Sequence, residues 1–310
     1  MPSWESIGTI SAPGVSERLE AWLGREAGSP SVADLPRLTY QAAGGDARLI
    51  MPVLAAWQAV HLALKLFDDV EDGDAGDQPS EAINTGTGLL MAAHVALEQL
   101  PAYGVSPAAA RSVRLALGRA VLRACVGQQS DLVAGRSPGA GTDPDGWLQI
   151  AASKSGALVG WAAWAGALVA GADERSVSSY HEYGYRLGVL LQVADDFKDV
   201  WRAEGSSDLA SGRLTLAVCY ALHVATDEGR ALLTDLLERA AVGDGPAEAE
   251  ARQVLIDLGA QTYLLAVARV QYQQAAAALQ NAGGIGAPVH QLSALLDQVL
   301  PALKTACLAE

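Results

Sequence analysis

The sequence predicts an all-α protein. Apolar residues recur at helical spacing along nearly the whole chain, and no convincing run alternates with period two. Long stretches rich in Ala, Leu and Val are separated by short breakers at 73–80, 136–146, 203–212 and 282–288, where Gly, Pro, Asp and Ser collect. Between such breakers, helices are expected over 15–26, 50–72, 82–100, 107–135, 147–171, 174–203, 213–226, 229–242, 246–281 and 289–307. Helices this apolar all round must pack against several neighbours. No connection reads as a linker and no fixed period repeats, so one domain spanning 1–310 is expected.

The helices differ in what they carry. That over 50–72 runs AAWQAVHLALKLF and ends in DDVED at 68–72. From within that over 147–171, Ser155 to Ala172 reads SGALVGWAAWAGALVAGA, 18 residues without charge, the lower limit for crossing a bilayer. Its Ala/Gly content and the bounding Lys154 and Asp173 read instead as a buried helix, so no transmembrane span is expected. The helix over 174–203 contains YGYRLGVLLQVA and ends in DDFKD at 195–199.

Composition excludes several functions. Half of the 310 residues are apolar and 18% are charged, as in a globular protein. Lys and Arg number 21 against 35 Asp and Glu, a formal charge of −14, which disfavours nucleic acid because phosphate backbones need a basic surface. Cys125, Cys219 and Cys307 are odd in number and far apart, which excludes a disulfide framework and favours a reducing, cytoplasmic setting. The stretch MPSWESIGTI lacks the pattern of a signal peptide.

The two aspartate clusters share one spacing, with carboxylates at i, i+1 and i+4. Asp68 and Asp72 therefore share a helix face, as do Asp195 and Asp199. Stacked carboxylates repel, and a divalent cation relieves the repulsion. Mg²⁺ suits them because it takes oxygen ligands and is commonly shared with substrate phosphates. One such cluster alone also reads as a solvated helix end; two of identical spacing, each closing an apolar helix, point to metal. An EF-hand register is not met from Asp68, Asp69 or Asp72, and the TGTG at 85–88 lacks a third glycine and a preceding strand.

With these residues in view, the chain resembles the trans-isoprenyl diphosphate synthases, or polyprenyl synthetases, of the class I isoprenoid synthase superfamily. DDxxD occurs twice. Gly127, Gln128 and Asp131 match GQxxD, and SKSGAL at 153–158 matches KTxxL. YGYRLGVLLQVADDFKD at 183–199 matches YGxxLGxxFQxxDDxxD, with Leu191 for Phe. Asp208 and Leu209 with GRLTLA at 212–217 match DLxxGKxTLP, with Arg213 for Lys and Ala217 for Pro. His61 stands seven residues before Asp68, where the family has a His. The likeness runs from about residue 44 to 220.

The resemblance implies an all-α bundle around an active-site cavity, a homodimer and a prenyl diphosphate substrate. It implies that Asp68, Asp72 and Asp195 coordinate a three-ion Mg²⁺ cluster on that diphosphate, supported by Asp69 and Asp199. Lys154, Lys198 and Arg213 would bind diphosphate oxygens, with Gln128 and Gln192 beside them. Pyrophosphate departure would leave an allylic carbocation in an apolar cavity. Helical steps of 4, 7 and 11 back from Asp68 reach Leu64, His61 and Trp57, and a step of 7 on from Lys154 reaches Trp161. These tryptophans could face a cation or serve as ordinary core, and His61 could be a hydrogen-bonded core residue. Trp57 as a floor favours a C15 or C20 chain.

The sequence also departs from the family. GGKRxRP, part of the isopentenyl diphosphate site, reads GGDARLIMP at 44–52, with Asp46 for Lys and only Arg48 nearby. Asp46 lies 68 − 46 = 22 residues before the first cluster, where the family fits a further helix. The Arg pair after the first cluster is missing, and no Lys or Arg occurs between Lys65 and Arg111, a stretch holding Asp74, Asp77 and Glu81. The preferred expectation is therefore a class I terpene synthase that ionises one prenyl diphosphate and then cyclises, hydrates or deprotonates the cation. The alternative is a prenyl diphosphate synthase whose second site uses Arg48 and arginines of 111–123. A third reading is a non-catalytic partner subunit.

Overall fold

A computed structural model describes residues 31–45, 48–73, 75, 76, 78–135, 143–201, 209, 210 and 213–307. The helix expected over 15–26 lies outside them, as do Asp46, Asp74, Asp77 and Asp208. The helices are α1 (Leu35–Ala42), α2 (Met51–Glu71), α3 (Pro79–Glu98), α4 (Pro107–Gly135), α5 (Pro144–Ala151) and α6 (Ala157–Val169). They continue as α7 (Glu174–Val200), α8 (Leu216–Val224), α9 (Asp227–Ala240), α10 (Gly245–Asp257), α11 (Ala260–Asn281) and α12 (Ala287–Cys307). The described residues contain no strand, so the all-α expectation holds.

Three elements differ from the sequence reading. α1 was not anticipated; it follows a 3₁₀ turn at Val32–Asp34 whose N-cap Ser31 accepts from Ala33 N–H, and Pro36 opens the helix. The helix expected over 246–281 is two, α10 and α11, because Gly259 adopts φ +81° and ends the first. The helix expected over 147–171 is interrupted by a π turn at Ala152–Gly156, between α5 and α6.

The chain divides into two compact units. One holds the described residues up to Gly118, with Trp161–His181 and Leu279–Leu295. Its core centres on α2. The Trp57 indole is buried and donates to the Val32 carbonyl at 2.7 Å. α3 meets α2 at Gly86, where an added Cβ would stand 2.7 Å from the Phe67 ring. α6 meets α1 at Gly166, where a Cβ would lie 2.4 Å from the Pro36 carbonyl oxygen. Trp161, Ala162, Ala163, Ala165 and Ala167 are buried, as expected of the uncharged stretch. No helix among the described residues is long and apolar enough to cross a membrane.

The other unit holds 119–160, 182–278 and the described residues from Leu296 on. Its core includes Tyr183, Leu187, Leu190 and Phe197 of α7, with Leu216 and Val218 of α8. The π turn sits where small residues admit close backbone approach. A Cβ on Gly127 of α4 would lie 2.6 Å from Lys154 N, and one on Gly188 of α7 would lie 2.8 Å from the Ser155 carbonyl oxygen. Both glycines fall within the motifs recognised in the sequence; the structure supplies their reason.

Candidate active site

The first acid cluster ends α2. Asp72 N–H donates to the Asp68 carbonyl at 2.9 Å, which sets the two carboxylates one turn apart. Asp68, Asp69 and Asp72 are half-buried, as are Leu64 and His61 above them, while Leu62, Ala63 and Leu66 are buried. The predicted face of α2 is thus partly open along 61, 64, 68 and 72. Asp69 is paired with Lys65 at 2.7 Å.

Deeper on the same helix, the Trp57 and His61 rings meet edge to face at 5.4 Å. Burial, with help from the Lys65 ammonium, pushes His61 down to about 4. His61 is therefore neutral at pH 7: it can offer a hydrogen bond but no charge. The Trp57 indole is buried, and its bond to the Val32 carbonyl fixes its orientation.

The second cluster ends α7. Asp195 is exposed and Asp199 half-buried on one face, with Lys198 Nζ 3.6 Å from Asp195. One turn earlier, Gln192 Oε1 accepts from the Ser155 hydroxyl at 2.9 Å. Lys154 Nζ reaches Asp131 on α4 at 3.2 Å, with both side chains partly exposed. The π turn thus aims neighbouring side chains at different helices: Lys154 at α4, Ser155 at α7. Gln128 lies on α4 next to Gly127. Arg213 is half-buried on the segment leading into α8.

The step of 7 from Lys154 to Trp161 keeps both on one face only in an unbroken α-helix. The π turn breaks that register, and the Trp161 indole is buried and donates to the Val113 carbonyl at 3.2 Å. The Asp196 carboxylate, inside the second cluster, is buried and accepts from Leu216 N–H at 2.7 Å. Arg252, outside every motif, donates from Nε to the Val200 carbonyl at 2.8 Å. Ser155, Asp196 and Arg252 were not singled out from the sequence; KTxxL was the only local signal for Ser155.

Among the described residues, no three His, Cys, Asp or Glu side chains gather into a group able to hold a metal unaided. What α2 and α7 offer are carboxylate pairs one turn apart. Such pairs fit a hard cation that retains waters and takes further oxygens from a diphosphate, which is the habit of Mg²⁺. They do not fit a closed structural zinc site.

Comparison with known proteins bears on family and fold. Over 202 residues the chain is 34% identical to geranylgeranyl diphosphate synthase of Mycobacterium tuberculosis, covering 60% of this chain and 57% of that protein. It is 28% identical over 246 residues to the short chain isoprenyl diphosphate synthase of Methanothermobacter thermautotrophicus, covering 76% and 74%. The chain thus spans little more than half the length of the first relative and about three quarters of the second. Among solved structures, a decaprenyl diphosphate synthase from Rhodobacter capsulatus superposes with a TM-score of 0.81 at 23% identity, covering 97% of this chain and 93% of that one. That likeness establishes the shared fold. Residues 36–254, most of the chain, match the Polyprenyl synthetase family, and the protein belongs to it.

Proposed function

We propose that the protein is a prenyltransferase that condenses an allylic prenyl diphosphate with isopentenyl diphosphate, releasing pyrophosphate. The observation that carries this reading is the pair of aspartate clusters, each with two carboxylates one helical turn apart, within the matched family region. The relatives' names favour chain elongation over the cyclase reading that the sequence alone preferred.

In this reading Asp68 and Asp72, and likewise Asp195 and Asp199, hold Mg²⁺, three ions in all by the family resemblance. When bound, Mg²⁺ draws charge from the departing pyrophosphate. Lys154, Lys198 and Arg213 bind its oxygens, and Gln128 and Gln192 orient it. Leu64 and Trp57 wall the prenyl chain along α2, so that water is kept from the allylic cation and the chain stops near C15 or C20. Trp161 supports the core. The cysteine pattern supports a cytoplasmic setting.

We also propose a homodimer. On α4, Leu115, Leu122, Val126 and Val133 are exposed at spacings of 7, 4 and 7, a stripe on one helix face. Exposed apolar residues in such a row mark an association surface.

One observation favours a second reading. Between Lys65 and Arg111 there is no Lys or Arg, so a second diphosphate would meet few cations. A class I terpene synthase using one diphosphate needs none there. Incubation with Mg²⁺ and geranyl, farnesyl or geranylgeranyl diphosphate, with and without isopentenyl diphosphate, decides. A longer prenyl diphosphate formed only with isopentenyl diphosphate supports the condensation. Hydrocarbon or alcohol formed without it overturns the condensation in favour of the terpene synthase. No pyrophosphate under either condition, with activity restored by another subunit, identifies a non-catalytic partner.

A further inference from the structure

The last turn of α7 presents Asp195 and Lys198 outward, 58% and 51% exposed. A helix end with open carbonyls would ordinarily fray. Here the opposite face of that turn is fastened from two directions. Asp196 is buried, and its Oδ2 accepts at 2.7 Å from the N–H of Leu216, the first residue of α8. That donor is one of the unpaired amides at the start of α8, and Thr215 takes the amide of Val218. Arg252 of α10 donates from Nε to the Val200 carbonyl at the end of α7, while its other arm pairs with Glu248 one turn back. Phe197 and Val200 are fully buried between these ties.

Two rows therefore run along one turn. Asp195 and Asp199 form an outward row; Asp196 and Val200 form an inward one, held by α8 and α10. Asp196 also fixes the start of α8, three residues after Arg213. We propose that Asp196 and Arg252 are positioning residues, a clamp that holds the Asp195–Asp199 row in place for Mg²⁺ and diphosphate. Asp196 then serves the second cluster without being one of its metal ligands. Arg252 gives the helices beyond the motifs a role in the site. The inference rests on the proposed reading that Asp195 and Asp199 hold Mg²⁺ and diphosphate.

The test is calorimetric titration of the full chain with inorganic pyrophosphate and Mg²⁺, alongside thermal unfolding of each variant. Asp196→Ala and Arg252→Ala should each weaken binding about tenfold, the usual effect of losing a group that orients metal ligands. Asp196→Asn, which keeps an oxygen for Leu216 N–H, and Arg252→Lys, which keeps a cation at the helix end, should stay within about threefold of wild type. Asp195→Ala should abolish binding. Wild-type affinity in that variant overturns the site reading itself, whatever the clamp does. Lost affinity there, with wild-type affinity in Asp196→Ala and Arg252→Ala, overturns the clamp alone. Asp196→Asn as weak as Asp196→Ala also overturns it, because the charge and not the bond would then matter. Should an alanine variant fail to fold, Arg252→Met, which keeps bulk but cannot donate to the Val200 carbonyl, should still lose affinity several-fold; wild-type affinity there overturns the clamp.

Discussion

Replacing Gly127 with Ala tests the close approach of α4 to the π turn. The new Cβ would stand 2.6 Å from Lys154 N and 3.0 Å from the Ser153 carbonyl carbon. Ordinary contact begins at 3.4 Å, so the helix and the turn must part by 3.4 − 2.6 = 0.8 Å. The turn cannot retreat freely, because Gly188 of α7 also admits a close backbone neighbour there. Overpacking of this kind costs about 1–3 kcal/mol, offset by about 1 kcal/mol of helix propensity. We expect a net loss of up to about 2 kcal/mol in urea unfolding. Lys154 sits on the displaced backbone and reaches back to Asp131 on α4, so pyrophosphate release should fall by roughly 10- to 100-fold. Gly118 on the same helix is the control: an added Cβ meets nothing within 4 Å, and Gly118→Ala should stabilise by about 0.4–1 kcal/mol. If Gly127→Ala matched Gly118→Ala in stability and wild type in rate, the close-approach reasoning would be refuted.

His61 stays neutral in the folded protein down to about pH 4, whereas in the unfolded chain it takes a proton near 6.5. Stability should therefore fall as pH drops through that window, and His61→Gln should lose about 2 kcal/mol less than wild type between pH 6.5 and 5 in urea unfolding. An equal loss would refute this. Asp68→Ala should cut pyrophosphate release by at least about a thousandfold, as expected when a metal site is emptied; wild-type rates would overturn the metal assignment. Trp57→Phe strands the Val32 carbonyl and should cost about 1–2 kcal/mol, while Trp57→Ala should lengthen the prenyl product seen by mass spectrometry. Leu122→Asp combined with Val126→Asp should convert the proposed dimer to monomer in light scattering, and an unchanged mass would clear α4 of that role.

What the sequence made legible follows from which forces act locally. Apolar periodicity fixed α2, α4 and α9 within about two residues of their observed ends, because burial of one stripe is written in neighbouring residues. The aspartate pairs were legible for the same reason: a spacing of four is a helix turn. The π turn was not legible. It depends on Gly127 and Gly188, 27 and 33 residues away from Lys154 and Ser155 in sequence, each admitting backbone from another element. Arg252 was hidden likewise, since a side chain that ends a distant helix leaves no mark in its own surroundings. Gly259 was readable in principle as a helix stop, but the apolar pattern on either side outweighed it.

The relatives and the charge pattern pull in different directions, and the geometry of α2 shows where they meet. The relatives are named as diphosphate synthases, and the condensation proposed above needs a second diphosphate as well as the first. Near α2, His61 is neutral at pH 7, and the Lys65 ammonium is already 2.7 Å from Asp69. Arg48, on the turn before α2, is exposed, where a single ion pair is worth about 0–1 kcal/mol. Lys154, with its partner Asp131, is only partly exposed, and a less solvated cation holds phosphate more strongly. Under the proposed condensation, the expectation is that the allylic diphosphate binds better than isopentenyl diphosphate. A surplus of 14 negative charges does not prevent either event; it makes the placing of each cation decide which diphosphate is held.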